Sequence, residues 1–147
     1  MYARILVPTD GSVCSDLAIA HAVAIAKAMG ATVVFLFVMD TLTARQEGVV
    51  NMAEALEALT AEGRVHLDRA EQIAADAGVH AAGQLVEGSP AEVIVRRSAD
   101  FHLVVMGSHG KGILKRLTAG SVTQAVLHRV TCPLLIVRCA REPRAPV

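Results

Sequence analysis

The chain is 147 residues long, 53% hydrophobic and only 3% aromatic, which suits one compact domain with an interior of Val, Ile, Leu and Ala and leaves too little buried surface for two. Lysine plus arginine equals aspartate plus glutamate at 14 each, so no global field draws the molecule to nucleic acid or to an acidic membrane. Tyr2, Phe35, Phe37 and Phe101 are the only aromatics besides histidine, which gives no stacking platform for nucleic-acid bases.

Ala3 to Thr9 is a short apolar run closed by Pro8 and Asp10-Gly11-Ser12, a pattern that predicts a strand, a sharp turn and a helix capped by Ser12. Ala18, Ala22, Ile25, Ala26 and Met29 then recur at three and four, and Gly30 stands in the usual C-terminal place. Thr32 to Met39 is apolar without alternation, the signature of a central strand covered on both faces. Asp40 to Val50 has no clear period and reads as a loop. From Asn51 to Ala77 helical spacing returns, with Gly63 weakening the middle, so one long helix or two in line are expected. His80 to Glu87 is a strand candidate, and Ser89-Pro90-Ala91-Glu92 combines an S-x-x-E capping box with proline at the first helical position of a helix through Ala99. His102 to Met106, Ser121 to Val130 and Pro133 to Arg138 complete the order as strand, helix and strand. Such alternation predicts an α/β fold with a parallel sheet and right-handed crossovers. The domain is expected to span residues 1–140, with 141–147 a frayed tail.

The charges are unevenly placed. Residues 1–100 hold thirteen acids and seven bases, whereas 101–141 hold six bases and no acid, so the last third is locally suited to an anion. Cys14, Cys132 and Cys139 form an odd set without C-x-x-C or metal-ligand spacing, which indicates a reducing compartment. Cys132 and Cys139 bracket the last strand, too far apart to bond within one chain. The N-terminus lacks the apolar stretch of a signal peptide and no apolar run approaches a membrane span, so the expected location is cytoplasmic.

In an open doubly wound sheet, ligands bind beyond the carboxyl ends of the strands where the winding reverses. The loop after the first strand carries Asp10, and the loop after the fourth is Gly107-Ser108-His109-Gly110-Lys111-Gly112, leading to Gly120-Ser121 at the next helix. Glycines let backbone amides approach an oxygen-rich ligand, a helix start adds N–H donors, and Lys111, Lys115 and Arg116 add positive charge. Ser121 also heads S-x-x-Q with Gln124, an N-cap signature. The two conventional phosphate motifs, G-x-x-x-x-G-K-[ST] and G-x-G-x-x-G after the first strand, are absent. The residues by themselves leave two readings open, an anion site or plain turn glycines.

The spacing Gly107-x-x-Gly110-x9-Gly120-Ser121, the opening Pro8-x-Asp10-Gly11-Ser12 and the closing Cys132-Pro133-Leu134-Leu135-Ile136-Val137 resemble the universal stress protein family, in its ATP-binding branch, from Arg4 to Arg138. The resemblance implies a single-domain, Rossmann-like open sheet of five parallel strands in order 3-2-1-4-5 with helices on both faces. It also implies residue roles. Asp10 contacts the ribose or adenine side, Pro8 lines the pocket, and Val38 meets the adenine edge through its backbone. Gly107, Ser108, His109, Gly110 and Lys111 lie along ribose and phosphates, and Gly120, Ser121, Val122 and Thr123 hold the phosphates. Mg2+ or Mn2+ would bridge the phosphates, and Met106 is either a base contact or a core residue. The family resemblance further implies a homodimer through the last strand, an edge otherwise needing cover.

The leading expectation is a binding module in which ATP biases one state of the dimer or of the loop from Asp40 to Val50 and so reports energy or stress status to a protein partner. An ATP hydrolase or phosphotransferase using the same pocket is the alternative, with Asp10 and His109 the only candidates for a placed base. A structural dimer without nucleotide is the second alternative. His21, His66, His80, His102 and His128 show no ligand spacing and read as ordinary surface or core residues.

Overall fold

The computed structural model describes residues 1–109 and 120–139. Gly110 and Lys111 of the glycine loop and the expected tail at 141–147 lie outside the described residues. The elements run β1 (Arg4–Pro8), α1 (Val13–Met29), β2 (Thr32–Met39), α2 (Thr41–Gln46), α3 (Met52–Asp76), β3 (Ala81–Glu87), α4 (Pro90–Ser98), β4 (Leu103–Gly107), α5 (Ser121–Arg129) and β5 (Leu134–Val137). All pairings are parallel and the sheet order is β3-β2-β1-β4-β5, as the family resemblance implies.

The period of two along each strand divides the core. Ile5, Val7, Val33, Phe35, Phe37, Leu103 and Val105 face α1 and α3, meeting Ala18, Ala22, Ala26, Leu67, Ala70 and Ala74. Leu6, Leu36, Val104 and Met106 face the other way, against Val93 and Ile94 of α4 and Val126 of α5. The alanines on α1 and α3 let both helices lie close over β-branched and aromatic strands. Winding runs outward from β1 through β2 to β3, then crosses to β4 and β5, so the carboxyl ends of β1 and β4 flank the reversal.

The local caps divide into those that form as expected and those that do not. Ser12 caps α1 by accepting from the Ser15 N–H, and Gly30 ends it with φ 66°. The stretch 40–50 is not all loop: Asp40 accepts from the Thr43 N–H and hydroxyl, nucleating the six-residue α2. A single capped turn has no amphipathic period to read, which is why the sequence pattern conceals it. α3 is one continuous helix through Gly63, where a Cβ would come within 2.5 Å of Leu85 Cδ1 and 2.6 Å of Phe37 Cδ1. Glycine is the cost of that close approach to the sheet. Ser89 is the N-cap residue of α4 but makes no side-chain capping bond. Its expected box partner Glu92 instead receives both guanidinium nitrogens of Arg129 on α5, the second at 2.9 Å. At the far side of the sheet, Glu71 Oε1 of α3 accepts from the Gly83 N–H of β3 at 2.9 Å.

Candidate functional site

The turn after β1 is fixed by its own short side chains. Asp10 Oδ1 accepts from the Ser12 N–H at 2.9 Å, an Asx turn. Thr9 Oγ1 donates to Ser15 Oγ at 3.1 Å, and Ser15 Oγ donates to the Ser12 carbonyl at 3.0 Å, with both residues buried. The Thr9 N–H bonds to the Leu36 carbonyl at 2.9 Å, extending the ladder to β2 beyond Pro8. The carboxylate of Asp10 thus stands on a rigid base at a strand end.

The opposite wall is laced together as tightly. The Ser108 N–H donates to the Val137 carbonyl at 2.9 Å, and the Gly120 N–H donates to the Ser108 carbonyl at 2.7 Å. Thr123 Oγ1 donates to the Gly107 carbonyl at 2.9 Å, wholly buried. Gly107 lies so close to α1 that a Cβ there would be 2.8 Å from Cys14 Cβ and 2.9 Å from the Cys14 carbonyl carbon. These bonds hold the start of α5 against the end of β4. The α5 N-cap is Gly120, not the expected Ser121, which is the first helical residue. The Gly120 carbonyl already accepts the Gln124 N–H at 2.9 Å, so the helix begins one residue before the cap pattern suggests.

Between these walls lies an open cavity of about 430 Å³, within the range of small-molecule sites. Of the expected residues, Pro8, Asp10, Val38, Gly107, His109, Gly120, Ser121, Val122 and Thr123 line it. Ser108 is buried behind the wall, with its backbone spent on Val137 and Gly120. The Thr123 hydroxyl is committed to Gly107. Met106 lines the cavity and is also packed in the core. Among the described residues, Thr9, Ser15, Leu36, Asp40, Pro90 and Ile94 also line it and were not read from the sequence. Asp40 follows β2 as Asp10 follows β1, so the strand-end rule applied to β2 would have found it. Pro90 and Ile94 arrive from α4 only through the tertiary packing.

The floor is apolar, from Pro8, Leu36, Val38, Ile94 and Met106, while Asp10, Asp40, His109 and the start of α5 supply the polar groups. The Nδ1 atom of His109 is buried without a hydrogen-bond partner among the described residues, an arrangement that ordinarily calls for a ligand or water. The first helical N–H groups of α5 have no acceptor within the helix. Among the described residues no three His, Cys, Asp or Glu side chains gather as a metal cage, so these residues do not fit a cation held by protein ligands alone. Two cysteines 125 positions apart, Cys14 and Cys139, are brought sulfur to sulfur with a Cα separation of 5.3 Å. Nothing in their spacing announces this pair.

Fold and cavity together define a doubly wound α/β protein with its candidate site at the switch point of the sheet. The chain belongs to the universal stress protein family, whose pattern it matches over residues 1–138. It is 36% identical over 145 residues to the universal stress protein MJ0531 of Methanocaldococcus jannaschii, an alignment covering 94% of this chain and 83% of that one. It is 30% identical to MJ0577 of the same organism over 94% of this chain and 96% of that protein. The solved structure of MJ0577 superposes with a TM-score of 0.83 over 97% of this chain and 99% of its own. A universal stress protein solved in complex with cAMP superposes with a TM-score of 0.66 at 28% identity, over 93% of this chain and 97% of that one. Among the described residues no helix is long and apolar enough to cross a membrane.

Proposed function

We propose that the switch-point cavity binds an adenine nucleotide, with ATP the expected occupant, and that occupancy is the signal of a cytoplasmic binding module acting as a homodimer. The observation that carries this is the composition of the cavity: a carboxylate on a rigid turn, an apolar floor ending at Val38, and the open N-terminus of α5 at Gly120 and Ser121 face one space. The apolar floor suits a base, the Asp10 carboxylate suits ribose hydroxyls, and helix N–H groups suit phosphate oxygens. Lys111 and Gly110 are expected to join the phosphate side. A relative's complex with cAMP supports an adenine ligand in this fold.

A magnesium or manganese ion would be carried by the phosphates, since the described residues make no cage for it, and no step is drawn through it. Asp40 lines the same cavity and caps α2, so a ligand there touches the segment expected to relay occupancy to a partner. The test is isothermal titration of the purified protein with ATP, AMP and cAMP, each with and without magnesium, with released phosphate followed in parallel. Saturable one-to-one binding of ATP with little hydrolysis is expected. Absence of heat with every nucleotide removes the proposal, and rapid phosphate release replaces it with the hydrolase reading.

A further inference from the structure

The cysteines are not explained by nucleotide binding. Cys14 is the second residue of α1, buried, with its sulfur 3.9 Å from Ser108 Oγ. Cys139 follows β5 and is half-buried. Their Cα atoms are 5.3 Å apart, within the span a disulfide bridges without backbone movement. Cys132 is a free thiol elsewhere, outside this pair, and burial pushes its pKa up.

We propose that Cys14 and Cys139 are a reversible thiol pair that answers a hydroperoxide-class oxidant by closing to a disulfide, stapling the first turn of α1 to the segment after β5. The more accessible Cys139 thiol attacks the peroxide oxygen, giving a sulfenic acid and releasing water or the corresponding alcohol. The Cys14 thiolate then attacks that sulfur and displaces hydroxide, which leaves as water on taking up the proton Cys14 gave up. Two electrons pass from the two sulfurs to the peroxide, and a dithiol reductant reverses the exchange.

The staple passes over the end of β4. Gly107 is packed on Cys14 and Ser108 is bonded to Val137, two residues before Cys139, so closure ties both neighbours of the cavity wall together.

The test treats the full chain with hydrogen peroxide, blocks remaining thiols with a maleimide and maps peptides by mass spectrometry. The expected map shows the Cys14 and Cys139 peptides joined within one chain and Cys132 blocked. The closed form should unfold at a higher temperature than the reduced form, because the bond closes a loop of well over 100 residues in the unfolded chain. Cys139→Ser should abolish both the joined peptide and the rise, and Cys132→Ser should change neither. A map with Cys14 and Cys139 separately blocked, with Cys132 in the bond, or with two chains crosslinked overturns the proposal. Because the map contains no nucleotide, failure of ATP binding and failure of the thiol pair are read separately.

Discussion

Gly11 and His66 interlock: the imidazole of His66 on α3, stacked on Phe37 of β2, fills the space a side chain on Gly11 would occupy. Gly11 also takes φ 79°, where a Cβ is strained. Gly11→Ala should therefore destabilise the protein by about 1–3 kcal/mol, from backbone strain and displacement of the ring. Urea unfolding checks this. Adding His66→Ala should recover the steric part and leave the backbone part, so the double variant should unfold earlier than His66→Ala alone.

Thr123→Val removes a buried donor while keeping the shape of the side chain. The Gly107 carbonyl loses its 2.9 Å partner, and a loss of about 1–3 kcal/mol is expected. Thr123→Ser keeps the donor and should lose less. If both variants unfold alike in denaturant, the bond contributes only packing.

Gly63→Ala sets two effects against each other. Helix propensity favours alanine by about 1 kcal/mol, but the added methyl would meet Leu85 and Phe37 at 2.5 and 2.6 Å, and overpacking costs about 1–3 kcal/mol. Packing should win, and a lowered unfolding midpoint in calorimetry is the expected result.

Asp10 separates turn from charge. Asp10→Asn keeps an Oδ1 acceptor for the Ser12 N–H and should unfold close to the parent, whereas Asp10→Ala should lose about 1 kcal/mol. Under the nucleotide proposal Asp10→Ala should weaken ATP binding by roughly tenfold or more, since hydrogen bonds to a charged group contribute about 1.5–3 kcal/mol. Titration calorimetry of both variants is the check.

Glu92 and Arg129 join α4 to α5 on the surface. The hydrogen bond from Arg129 holds the Glu92 carboxyl below its ordinary value of 4.5, and Glu92 raises the pKa of Arg129 in turn. A depressed carboxylate contributes stability that is complete above the unfolded pKa and disappears as pH falls through the folded one. Glu92→Gln should thus lower the urea midpoint at pH 7 and make no difference once pH is well below 4.5. The pair is solvent-exposed, so the effect should be small and shrink in high salt.

β2 was legible because its apolar run lacks alternation, and at Thr32–Met39 it coincides with its expected bounds, whereas β3 (Ala81–Glu87) is a mixed stretch marked mainly by the glycines on either side. The paired switch-point loops were legible because Asp10 and the glycines sit next to strand ends. Three features were not. The capping boxes at Ser89 and Ser121 are sequence patterns whose partners are decided by tertiary contacts, with Glu92 drawn to Arg129 and Gly120 taking the cap. α2 rests on the single Asp40 cap. Pro90, Ile94 and the Cys14–Cys139 pair are brought to their places by winding across the sheet, and a linear pattern carries no trace of such distances.

The carboxylate of Glu71 on the outward amide of Gly83 gives the sheet one plugged flank. An incoming strand would have to strip an ionic acceptor from a backbone donor to add there, at a cost in desolvation with no gain in bond count. Lateral growth at the β3 side is thereby discouraged, because the backbone donor that a new strand would need is already held by a charged acceptor.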